Sequence, residues 1–218
     1  GTYRNYFASF LGFFNFFNIF FNFIWIHGPK QQEYVLKVGF KKKQLIYDHA
    51  SADLALFHKA FKNNLKIKRK KYPKVFLYVG RLTNSKGINL LLETWGNIHS
   101  KIDWKLKVIG TGPIQIKSNK KKKIIYKKYL QPKNLLKEIK NSGCFILPSI
   151  FEPWGVVVHE FAAGGLPLIL SSSVGSAPVF LKKKINGYIF DNNSKEDLKK
   201  KLILFSKLSK THLNTMSL

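Results

Sequence analysis

An α/β fold, a Rossmann-like parallel sheet with helices on both faces, is what this chain predicts, and three observations predict it. Short, mainly apolar runs recur at 74–80 (KVFLYVG), 104–110 (WKLKVIG), 144–149 (CFILPS), 166–171 (LPLILS) and 187–190 (GYIF). Stretches of helical spacing separate them, as with Ile88, Leu91, Leu92 and Trp95 within 87–98. Apart from WKLKV the runs do not alternate apolar with polar, so both of their faces are buried, as in a parallel sheet covered by helices.

Taken in chain order, residues 6–26 carry no charge and nine phenylalanines. Their length would span a membrane, but Asn15, Asn18 and Asn22 fall on one side of a helix and would be costly in lipid. The expectation is an amphipathic helix ending in a buried strand, NFIWIHG, with peripheral membrane contact open. Pro29 opens a short helix, PKQQEYVLKV, because proline is tolerated at the first helical position. QLIY (44–47) reads as a brief strand, and the Lys-rich stretch 59–73 reads as a linker. Beyond the first two strands come helices at 134–142, after the 144–149 strand, near 177–183 and from about 194. In such sheets ligands bind beyond the carboxyl ends of the strands. That rule selects three segments: GRLTNSKG, GTGP and PSIFEPWG.

Composition narrows the function classes. The 218 residues carry a formal charge of +27, yet 45% are hydrophobic, which excludes a disordered polycation. Only three of the 38 basic residues are arginines (Arg4, Arg69, Arg81). A reader of nucleic-acid bases would draw more on the guanidinium fork. Basic runs at 41–43, 67–71, 120–123, 182–184 and 199–201 make a solvated surface that should attract anionic lipid or polyanions. The lone Cys144 excludes a disulfide framework and a cysteine zinc site. No signal peptide is visible. The first residue is Gly rather than Met, so the chain is expected to be a fragment.

Candidate chemistry gathers in the loops. Gly80 lets the backbone approach a ligand closely, Arg81 supplies a fork for phosphate oxygens, and Lys86 adds a point charge before Gly87 opens a helix. The competing reading of Arg81 is a strand-end cation paired to a surface acid. No G-x-x-x-x-G-K-[ST] loop exists, and GTGP (110–113) reads as a tight turn. In FEPWGVVVHE, Glu152 and Glu160 are two of only eleven acids. They would stand about 80° apart even on an unbroken helix. Pro153-Trp154-Gly155 breaks that helix, leaving Glu152 on a loop and Glu160 in the first turns of a helix from Val156. A helix N-terminus that favours an anion lies between them. The pattern suits a ligand rich in hydroxyls at both ends and anionic in the middle, such as a nucleotide sugar. For Glu160 alone, an acid complementing the helix dipole competes with this reading.

In order and spacing, VGRL…SKGI, GTGP, LPSIFEPWGVVVHEFAAGGLPLILS, VGSA and NGYIF resemble the C-terminal half of the retaining GT-B glycosyltransferases of family four. The resemblance implies a nucleotide-sugar donor-binding domain at 66–218. Before it, 1–65 would be the tail of a second α/β domain, a remnant of an acceptor domain with a linker. It implies that Arg81 and Lys86 grip the donor diphosphate, with Gly155 and Val156 presenting backbone N–H groups. Glu160 would hold the ribose and Glu152 the transferred sugar, so that Arg81, Lys86 and Glu152 form the catalytic set. No metal or other cofactor is implied, and no His/Asp/Glu cluster suits a divalent ion. The acceptor would be a sugar or a lipid-linked glycan, in bacterial surface-polysaccharide assembly. The location would be cytoplasmic, at the inner face of an anionic membrane. Lys128 departs from the family, which usually has Gly there beside the base-binding loop. Two rival readings are a non-catalytic nucleotide-sugar or polyanion-binding module and a basic nucleic-acid binder. The second is favoured by charge alone and lacks a nucleic-acid motif.

Overall fold

The computed structural model describes residues 6, 10, 16–47 and 52–217. The chain divides into two compact units, Gly1–Ser51 and Ala52–Leu218. Much of the Phe-rich segment expected to be an amphipathic helix, Asn15 included, lies outside the described residues. What is described there is a short helix, α1 (Phe16–Phe20). In the first unit β1 (Ile24–Trp25) pairs in parallel with β2 (Leu45–Ile46), and α2 (Pro29–Lys37) forms the crossover. Ile26, Val35, Phe40 and Leu45 make its small core, and the Phe17 ring stacks on Phe40 at 6.3 Å. The strand expected at NFIWIHG is present but not buried as expected. Phe23 and Trp25 are each 62% exposed, because a two-stranded sheet covers only one side of each strand.

The second unit carries a six-stranded, wholly parallel sheet in the order β5-β4-β3-β6-β7-β8. Its strands are β3 (Val75–Val79), β4 (Lys105–Ile109), β5 (Ile124–Lys127), β6 (Cys144–Leu147), β7 (Leu168–Ser171) and β8 (Gly187–Phe190). Period-2 geometry sends alternate side chains into two cores. Phe76, Tyr78, Leu106, Val108, Cys144, Ile146 and Ile169 meet one helical layer: α4 (Ile88–Gly96), α8 (Lys195–Ser206) and α9 (Lys210–Met216). Leu77, Ile109, Phe145, Leu147, Leu168 and Leu170 meet the other: α3 (Leu54–Lys70), α5 (Pro132–Lys140) and α6 (Val156–Ala163). A one-turn helix, α7 (Ala177–Phe180), leads toward β8.

Three features depart from the expected layout. The linker at 59–73 is mostly α3, a 17-residue helix. Its cap is Asp53, whose Oδ1 accepts the Leu56 N–H at 3.0 Å, and it buries Phe57 edge-on against Phe161. The expected boundary at 65/66 therefore falls inside a helix, and the units divide at 51/52 instead. Strand β5 has no counterpart in the expected layout; it is a half-exposed edge strand embedded in lysines, so it shows no apolar run. The final helix breaks in two, with Ser194 and Ser209 each capping a segment.

One buried group works against stability. Lys68 of α3 is 2% exposed, and its Nζ has no partner among the described residues. Burial pulls its pKa down to about 7, with neighbouring Cys144 opposing.

The strand order locates the site. From β3 the chain moves outward through β4 to β5, returns to lay β6 on the other side of β3, and continues through β7 to β8. The loops leaving the carboxyl ends of β3 and β6 therefore diverge, opening a crevice at this switch point.

Candidate functional site

The loop after β3 is pinned on both sides. Gly80 N–H donates to Ile109 O at 3.1 Å, and Leu82 N–H to Thr111 O at 2.9 Å, so GTGP clasps the Gly80–Leu82 segment. The Tyr78 hydroxyl donates to Arg81 O at 2.7 Å. Burial, and to a smaller degree the Glu152 charge, holds the Tyr78 phenol above its ordinary pKa, so it stays a donor.

The loop after β6 is fastened to the first loop and to the loop after β7. Ile150 and Phe151 N–H groups both donate to Ser85 O, at 2.9 and 3.1 Å. Gly87 lies against Pro148: with φ at 69°, a Cβ there would stand 1.8 Å from the Pro148 carbonyl oxygen. Below, Gly175 N–H donates to Glu152 O and Ser176 N–H to Trp154 O, both at 2.9 Å. A Cβ on Gly175 would meet Pro153 O at 1.8 Å. Ser171 and Ser173 hydroxyls donate to Ser149 O at 2.5 and 2.8 Å. VGSA and the serines before it thus act as a buttress that fixes where Glu152 stands. The signal for those serines was the run LSSSVGSA itself, in which only VGSA was read.

Between these loops lies a cavity of about 310 Å³. Gly80, Arg81 and Lys86 of the first loop, Gly110 and Thr111 of GTGP, and Glu152 and Glu160 all line it, so residues from three separate segments share one cavity. Gly155 and Val156 form the N-terminus of α6 beside it. Val157, in the same turn, is the residue of that N-terminus that lines the cavity. Ile109, Leu130, Leu135 and Leu147 supply an apolar part of the lining that the site motifs did not indicate, with Thr111 and Tyr129 near its edge. Lys128 follows β5, is exposed and is not among the lining residues.

The charges are unevenly matched. Lys86 Nζ meets Glu152 Oε2 at 2.5 Å in a largely buried pair, and Ser149 Oγ donates to the same oxygen at 3.4 Å. Arg81 is exposed and pairs with no carboxylate among the described residues, so the strand-end ion pair considered for it does not form. Glu160 is half-buried and likewise has no ion-pair partner there. Burial pushes its carboxyl pKa up. A free guanidinium, an ammonium and a helix N-terminus stand ready for an anion, and a carboxylate with unused acceptor capacity stands ready for hydroxyl donors. Among the described residues no group of three or more His, Cys, Asp or Glu could hold a metal ion.

Comparison with known proteins bears on the family and the fold. The family model for glycosyl transferases group 1 matches residues 60–216. An uncharacterized glycosyltransferase of Methanocaldococcus jannaschii is 30% identical over 128 residues, covering 55% of this chain and 33% of that protein. The amylovoran biosynthesis glycosyltransferase AmsD of Erwinia amylovora is 33% identical over 130 residues, covering 55% and 35%. The match therefore spans about a third of the length of these relatives. Among solved structures, the sucrose-phosphate synthase of Thermosynechococcus elongatus superposes with a TM-score of 0.69 at 20% identity, covering 88% of this chain and 51% of that one. Anabaena HepE, solved in complex with UDP and glucose, superposes with a TM-score of 0.68 at 10% identity, covering 90% and 56%. The likeness to these structures establishes the shared GT-B fold, and the family match, running through every strand of the parallel sheet, places the chain among the glycosyl transferases group 1.

Proposed function

We propose that the cavity at the β3/β6 switch point binds a nucleotide sugar and that the chain is the donor-binding part of an enzyme that transfers the sugar with retention at the anomeric carbon. One observation carries the reading: a half-buried Glu160 and an exposed Arg81, neither in an ion pair among the described residues, share a cavity with the Lys86–Glu152 pair. The diphosphate would lie between Arg81, Lys86 and the α6 N-terminus at Gly155 and Val156. The ribose would lie on Glu160, the transferred sugar on Glu152, and the planar base against the apolar lining. When the bond from the anomeric carbon to the leaving phosphate oxygen breaks, its electron pair moves onto that oxygen. The two cations and the helix N-terminus are aimed at this growing charge. They take the neutralising role a divalent ion would otherwise fill.

The first unit would be the tail of an acceptor domain that presents a sugar or a lipid-linked glycan. The amylovoran relative supports placement in surface-polysaccharide assembly. Cytoplasmic work at an anionic membrane face fits the net charge of +27. No helix among the described residues is long and apolar enough to cross a membrane. A thermal-shift panel of nucleotide sugars against a random oligonucleotide tests the reading. Stabilisation by at least one nucleotide sugar is expected, and stabilisation by the oligonucleotide alone would transfer the chain to the nucleic-acid class.

A further inference from the structure

At the opposite end of the sheet, where β3 and β4 begin, lies a second and larger concavity of about 970 Å³. We infer that this groove is a second anion site, which takes ligands carrying more than one phosphate charge. Its lining comes from segments far apart in sequence. Lys70 closes α3 and Lys71 follows it, and Lys74 and Lys105 stand at the entries to β3 and β4. Lys123 precedes β5, Lys140 ends α5, and Lys210 begins α9. Asp103 is the one carboxylate in the lining, and it is taken up by Lys74 at 3.0 Å. The basic runs read in the sequence as solvated faces are thus partly gathered by the fold into one concave place.

Two more of these ammonium groups are held rather than free. Lys123 Nζ donates to Ile102 O at 2.9 Å, and Lys210 Nζ to Lys70 O at 2.7 Å. Lys123 also keeps a left-handed backbone, φ 55°, that residues other than glycine seldom adopt. Cations fixed in advance lose less freedom when an anion arrives. Trp104, which lines the groove, is 2% exposed, and its indole N–H has no acceptor among the described residues. So many like charges sharing one concavity repel one another until a multivalent anion enters. The volume suits a small polyphosphate or a phosphate-bearing headgroup.

The test titrates tripolyphosphate into the whole chain. It compares the wild type with a groove variant (Lys71→Gln, Lys105→Gln, Lys140→Gln) and with an equally neutralised control (Lys121→Gln, Lys182→Gln, Lys200→Gln). All six lysines are exposed and outside the ion pairs, so both variants should fold, as thermal unfolding verifies. The groove variant is expected to bind about tenfold more weakly or worse, the control within about threefold. An Arg81→Ala variant, altered only in the donor cavity, should keep the groove affinity. Vesicles of phosphatidylcholine with and without phosphatidylglycerol identify the source. Loss of phosphatidylglycerol-dependent capture in the groove variant alone assigns the phosphate to a lipid headgroup, whereas a change confined to tripolyphosphate assigns it to a soluble ligand. Equal weakening by both triple variants, or no tripolyphosphate binding by the wild type, overturns the inference.

Discussion

Replacing Glu160 by Gln separates the ligand reading from the helix-dipole reading, because the two give opposite signs for stability. Glu160 has no ion-pair partner among the described residues, and burial raises its carboxyl pKa. In the folded state it therefore holds a proton more tightly than in the unfolded chain. Its unfavourable contribution is absent below the ordinary value of 4.5, grows as pH rises toward the raised folded value, and is fully present above that value. Glu160→Gln should accordingly leave Tm at pH 7 unchanged or higher. An acid that complements the helix dipole would do the reverse and lower it. For binding, the ribose loses a hydrogen bond to a charged acceptor, worth about 1.5–3 kcal/mol, while the amide oxygen still accepts. That converts to roughly 10- to 150-fold weaker binding of both nucleoside diphosphate and intact donor. Glu152→Gln should differ in kind. It frees Lys86 from its carboxylate, so nucleoside diphosphate affinity should hold, and only the intact donor should weaken. Calorimetry with both ligands on both variants decides the matter. Equal losses of nucleoside diphosphate binding, or a lower Tm with unchanged affinity for Glu160→Gln, would refute the reasoning.

Other consequences follow from the packing. Gly87→Ala forces a Cβ toward the Pro148 carbonyl from a left-handed backbone and should cost about 2–3 kcal/mol, lowering Tm by roughly 5–10 °C in a thermal melt. Lys68→Met removes a buried ammonium with no partner among the described residues and should stabilise by about 1–4 kcal/mol. Since its pKa falls from 10.5 to about 7 on folding, that gain should be larger at pH 7 than at pH 9 and level off below pH 7, as denaturant titrations at several pH values would reveal. Glu138 holds Lys107 and Lys127, each at 2.6 Å; burial pushes its carboxyl up, but these hydrogen bonds and charges outweigh it and leave the pKa lowered. Its stabilisation is present above 4.5 and lost as pH falls through the lowered value. Glu138→Gln should cost about 3–5 kcal/mol at pH 7, and the difference from wild type should shrink in acid melts.

Most of the parallel sheet was legible because β3, β4, β6 and β7 are buried on both faces and so read as apolar runs. β5 was not, since its apolar run is only Ile124–Tyr126 and lysines enclose it on both sides. α3 was hidden for a related reason. Its buried apolar residues, Phe57 and Ala60, are few beside its lysines, and Asp53 lies before the segment taken as a linker. At the site, glycines, Arg81 and the two glutamates stood out because strand ends and a helix break position them. The Lys86–Glu152 pair did not stand out, because residues 66 apart are joined only by the strand order. The same holds for the groove, where seven lysines converge from five segments that sequence spacing treats as unrelated.

The central claim is that the cavity between the β3 and β6 loops is the nucleotide site. A crystal structure of the chain with a bound nucleoside diphosphate tests it most directly. The diphosphate is expected within hydrogen-bond distance of Arg81, Lys86 and the first N–H groups of α6, with the ribose hydroxyls on Glu160 and Lys86 drawn away from Glu152. A nucleotide seated elsewhere, or one in the cavity whose ribose turns away from Glu160 while the Lys86–Glu152 pair stays closed, would contradict it.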